Sequence, residues 1–177
     1  LKLKPVPIVL AIVLSGSLLF GGWFAYHSVA MENPLNQTLA GAPGVESSEV
    51  KLTDDKTVFH VKLGIEANVR EIVHEIQKKN AEVAGKRAAE IRVTSNTSPE
   101  LDAWWAGTLF GVAQAMETSQ YAQIPVTLEQ KAGELAGLTV QTEMDDSNVY
   151  VRLTEGEHVK FIILPRNPAR MGVWSND

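Results

Sequence analysis

Cysteine is absent from the 177 residues. Disulfides, thiolate zinc sites, iron–sulfur ligation and cysteine nucleophiles are thereby excluded, and an oxidising compartment poses no difficulty. Histidine is scarce: His27, His60, His74 and His158, no two at metal-ligand spacing. His74-Glu75 opens like a zinc-protease helix, but Lys78 stands where the second histidine belongs. His60 and His158 fall on expected strands and read as solvent-facing strand residues. No G-x-S-x-G, P-loop or dinucleotide glycine fingerprint occurs. Ser15-Gly16-Ser17 lies inside an apolar run, not on a nucleophile loop. Asp145-Asp146 fall in an expected hairpin turn, where Asp bonds its own backbone, and the spaced ligands of a calcium loop are missing. No catalytic, cofactor-binding or metal residue is nominated and no cofactor is expected; the chain leans towards a non-enzyme.

Basic charge is also short. Lys2 and Lys4 are the only charges before Glu32. Of 16 basic and 21 acidic residues, 14 basic and all 21 acidic therefore fall in residues 31–177, a balance of −7. Nucleic acid is not an expected partner, because neutralising phosphates needs a basic face.

What is present begins with an apolar run. Ile8 to Phe24 contains no charge, and residues 7–26 as a helix would measure roughly 30 Å, one hydrocarbon thickness. With Lys2 and Lys4 before it and no Lys or Arg until Lys51, the positive-inside rule puts the N-terminus in the cytoplasm and the rest outside. Trp23 and Tyr26 fall at the expected interfacial belt. The rival reading is a cleaved signal peptide, with Ser28-Val29-Ala30 as the cut site and a secreted product. The run is longer than an h-region of about 7–15 residues, which favours a single-pass anchor. Residues 1–30 are thus an anchor or signal segment. Residues 31–48, with two prolines and two glycines, read as a linker.

Residues 49–165 read as a folded domain. Val50 and Leu52, then Phe59, Val61 and Leu63, alternate on either side of a turn and predict a β-hairpin. Asn68 with Glu71 resembles a capping box. Val69, Ile72, Val73 and Ile76, with Val83 as a later outlier, form a helical stripe that ends at Gly85. Ala89, Ile91 and Val93 alternate as a strand. Ser98 and Pro99 start a second helix, running to about Ser119 with Trp105, Leu109, Val112 and Met116 as its stripe. Gly107, Gly111 and Ala115 predict close packing of that helix on the sheet. Pro125 interrupts, and Thr127–Ala136 predicts a short helix closed by Gly137. Three strands joined by the "DDSN" and "EGE" turns then form a meander, and 166–177 is a loose tail. The order β-β-α-β-α-α-β-β-β predicts an α+β two-layer sandwich with helices on one face of a largely antiparallel sheet.

Two features suggest interaction. Adjacent helical residues point about 100° apart, so Trp104 and Trp105 cannot share one face: Trp105 is expected in the core and Trp104 at its margin. An exposed Trp104 would be a partner or ligand anchor. Lys78, Lys79, Lys86 and Arg87 make the densest basic cluster, read first as a solvated helix end complementing the dipole and second as an anion-binding patch. The functional expectation is a membrane-anchored extracytoplasmic interaction or assembly domain with a protein partner or self-association. The alternative is a small-ligand-binding or sensor domain with the Trp104 region lining its pocket.

Overall fold

The computed structural model describes residues 5–26, Leu35, Leu39, 41–53, 55–85 and 87–166. The elements are α1 (Pro5–Tyr26), β1 (Val45–Leu52), β2 (Lys56–Leu63), α2 (Val69–Val83), β3 (Ala88–Ser95), α3 (Pro99–Glu117), α4 (Gln123–Ala132), β4 (Leu138–Met144), β5 (Asn148–Glu155) and β6 (His158–Pro165). They form an α+β fold with two three-stranded sheets, β1-β2-β3 and β4-β5-β6. Every pairing is antiparallel except β2 with β3, which is parallel and crosses over through α2. The sheets meet where β3 lies beside β6, and Val159 N–H donates to Asn96 C=O at 2.9 Å.

The local signals work as their chemistry requires. Asn68 accepts from Glu71 N–H at 3.2 Å and Ser98 from Leu101 N–H at 3.1 Å, each satisfying a donor that a first turn leaves open. Gly85 follows the α2 C-cap with φ +65°, a conformation that costs glycine nothing. The α4 expectation needs correction. That helix starts at Gln123 and holds Pro125 in its first turn, where a missing N–H breaks no helical bond.

Two hydrophobic clusters share β5. Phe59, Val61 and Leu63 of β2 pack with Val69, Ile72, Val73 and Ile76 of α2, and this cluster takes in Tyr150, Val159 and Phe161. Trp104, Trp105 and Val112 of α3 and Leu128 of α4 pack with Val149, Val151 and Leu153. Neighbouring β5 residues thus enter different clusters. Because successive strand side chains point to opposite faces, α2 covers one face of the meander and α3 with α4 the other. This corrects the expectation of helices on one face. Tyr150 and Arg152 interrupt an apolar alternation, yet Tyr150 is 2% exposed.

Two boundaries also shift. Leu35 and Leu39, inside the stretch read as a linker, are 1% and 2% exposed and belong to the α2 cluster. Arg166, the first residue of the stretch read as a loose tail, is buried; residues 167–177 lie outside the described residues.

Helix α1 is 22 residues without a charge. Its described large apolar side chains, from Val9 to Trp23, are 56–78% exposed. The described side chains omit residues 5–8, Ala11, Phe24 and Ala25; among the described residues no helix is long and apolar enough to cross a membrane.

Candidate binding groove

Among the described residues, strand β4 is the outer strand of the meander and pairs with β5 alone, in unbroken register from Leu138↔Glu155 to Met144↔Val149. In the turn, Asp145 N–H donates to Asn148 C=O at 3.0 Å. Antiparallel pairs alternate between bonded and non-bonded. Counting back from Asp145, Glu143, Gln141 and Thr139 therefore bond to β5, while the N–H and C=O of Val140 and Thr142 point away from the sheet.

A groove of about 660 Å³ follows this edge. Val140, Gln141, Thr142 and Glu143 line it in succession. Since alternate side chains point to opposite faces, a hollow lined by four consecutive residues runs along the strand edge. One wall is the Glu66–Val69 stretch that leads into α2, the other includes Glu129 of α4, and Tyr150, Arg152 and Phe161 form the floor. Arg152 holds the first wall: its Nη2 donates to Ile65 C=O, and the guanidinium lies 5.8 Å from the Phe161 ring centroid. Arg70 Nε bridges α2 to Glu143 Oε2 at 2.9 Å. Three glutamates and one arginine line the groove, so it is acidic.

Next to it, the Asp145 carboxylate is fully engaged. Oδ1 accepts the N–H groups of Ser147 and Asn148, both at 2.7 Å. Oδ2 accepts Tyr150 Oη–H at 2.6 Å and lies 2.7 Å from His74 Nε2. Its backbone carbonyl accepts from Arg166 Nη1. Burial alone would raise the Asp145 pKa, but the bonds from Tyr150, Asn148, Ser147 and His74 outweigh it and hold the value at about 2. Burial, then the bond to this carboxylate, pushes Tyr150 up to about 12. A carboxylate this acidic and a phenol this basic do not exchange a proton near neutral pH. The cluster is a clamp joining α2, the β4–β5 turn, β5 and Arg166. It makes Tyr150 a rigid part of the groove floor.

The residues singled out from sequence do not converge on this groove. Trp104 is 8% exposed, as is Trp105, and its Nε1–H donates to Lys131 C=O at 3.0 Å; it lines neither described hollow, which corrects its reading as an exposed anchor. Lys79 pairs with Glu82 at 2.8 Å and Lys78 is exposed. Arg87 C=O accepts from Asn80 Nδ2 at 2.7 Å, and Lys86 lies outside the described residues. Lys78 and Lys79 lie towards the far end of α2, roughly 15 Å of helix from the groove. His60 stands in register between Glu49 and Arg92, and His158 opposite Glu155. No group of three or more His, Asp or Glu that could hold a metal is present among the described residues. A second, apolar hollow of about 340 Å³ lies between α3 and the end of β6, lined by Leu109, Met116 and Leu164.

Sequence reasoning passed over the groove. The one local signal was "LTVQTEM", a strand without the lysine or proline that commonly guards an edge. No protein-family model, curated protein or solved structure matches the chain.

Proposed function

We propose that this chain is a membrane-anchored, non-enzymatic interaction domain: α1 lies in the bilayer with its N-terminus cytoplasmic, and residues 31–177 present a binding surface outside. The observation that carries the reading is the exposure of α1's large apolar side chains, 56–78% from Val9 to Trp23. A helix apolar on all sides, with no charge along 22 residues, has no polar face to turn to water. A bilayer covers it on every side. Lys2 and Lys4 ahead of it set the orientation. The interaction role draws on the acidic open groove and on the Asp145 clamp, which is built for rigidity rather than proton transfer.

Fractionation of expressing cells, with intact mass of the product, tests the anchor. Membrane-bound full-length chain that resists carbonate washing is the expected result. A soluble product beginning at Met31 sinks the anchor and supports the secreted alternative. Leu35 and Leu39 remain in that product, so its core is intact either way. For the alternative, a small-ligand-binding or sensor domain, Trp104 is 8% exposed and lines neither described hollow. An enclosed small-molecule site would be supported if a metabolite screen raised the melting temperature.

A further inference from the structure

We propose that the free edge of β4 takes an extended, lysine- or arginine-bearing segment of another protein as an added antiparallel or parallel strand; this rests on reading the chain as an interaction domain and names the surface and its partner class. Strand addition needs backbone groups aimed outward, a slot beside them and no guard. Val140 and Thr142 aim their N–H and C=O away from β5 and both line the groove.

The two outer strands differ in how they are guarded. β1 carries a register shift between Val45 and Ser47, a Glu49–Lys51 ion pair at 3.0 Å, and Glu46 paired to Lys62 at 2.8 Å. Bulges and charges of this kind blunt an edge. β4 has an even register and neither lysine nor proline, and its one charged residue, Glu143, is tied to Arg70 of α2 at 2.9 Å.

Charge selects the occupant. Glu66, Glu129 and Glu143 line the slot with one lining cation, Arg152; Glu143 is paired with Arg70 at 2.9 Å, so Glu66 and Glu129 carry the selection. A second copy would bring its own glutamates against these, and like charges across paired strands are unfavourable. Basic side chains on an incoming strand complement them.

The test uses the full chain in neutral detergent and a mixed set of ten-residue fluorescent peptides. These have Lys or Arg at alternate positions and Val, Thr or Tyr between, and binding is read by anisotropy. Binding is expected from the basic set and not from the same set with Glu in place of Lys and Arg. Alternate backbone N-methylation, which removes donors but keeps side chains, should weaken it by about tenfold or more. Thr142→Pro should weaken it similarly with an unchanged melting temperature, because that N–H faces away from β5. Glu129→Lys should weaken it about threefold. Equal binding by the N-methylated peptides, no binding by any basic peptide, or chain dimerisation that Thr142→Pro abolishes would each overturn the proposal. Detergent solution does not depend on the anchor, so a failed fractionation and a failed peptide assay are separate results.

Discussion

Helices α1 and α3 are close in length, 22 and 19 residues, and both contain glycine among large apolar residues. Their surroundings differ. Trp104 and Trp105 of α3 are 8% exposed against β5, while Phe20 and Trp23 of α1 are 78% and 60% exposed. α3 also carries Glu100, Asp102 and Glu117, which stay in water while one face packs. α1 has no charged residue to leave outside. Apolar content alone therefore does not say where a helix packs; α3 has a polar face to leave in water, and α1 has none.

The sharpest way to break the comparison is to remove the core aromatics. Trp105→Ala should lower domain stability by about 3–5 kcal/mol in chemical denaturation. Trp23→Ala should leave the same midpoint unmoved. Equal effects would place α1 in the core. Next in size, Leu14→Arg at the middle of α1 should cost roughly 2.5–3.5 kcal/mol of membrane insertion. The membrane-bound fraction should fall while the domain melts as before; an unchanged fraction would count against the bilayer reading.

Acid distinguishes the two regions by a smaller margin. Asp145 titrates at about 2 in the folded chain, below the unfolded value near 3.9. Its contribution is complete above pH 5 and is lost as pH falls towards 2, on the order of 2 kcal/mol. Asp145→Asn should flatten that slope. Membrane retention through uncharged α1 should not change over the same range. The smallest effect concerns the glycines. A Cβ on Gly107 meets nothing within 4 Å, whereas one on Gly111 would lie 2.8 Å from Thr127 Cγ2. Gly107→Ala should gain up to about 1 kcal/mol of helix stability, and Gly111→Ala should lose that gain to the contact. Thermal melts of both variants decide it. The close approach is to α4, not to the sheet as the small-residue strip suggested.

Features written within a few residues were legible. Asn68, Ser98, Gly85 and the meander turns act on neighbours in the chain, so their chemistry is visible without a fold. Leu35 and Leu39 were not, because proline and glycine around them dominate the local pattern while their burial depends on α2. Trp104 was ambiguous, since its angular position says nothing of Lys131, 27 residues on, whose carbonyl takes its N–H. The groove was not legible, because only the strand pairing makes "LTVQTEM" an edge.

By itself the sequence determined the element order, the caps of α2 and α3, the cysteine-free chemistry, the acidity of residues 31–177 and an uncharged apolar helix ahead of them. Each follows from composition or from contacts within one or two turns of chain. Only the tertiary structure decided that α2 and α3 flank β5 from opposite faces, that His74 reaches Asp145 across 71 residues, and that β4 is an edge. Those depend on which strands pair and which faces meet, and a strand's own residues read the same at the edge of a sheet as at its centre.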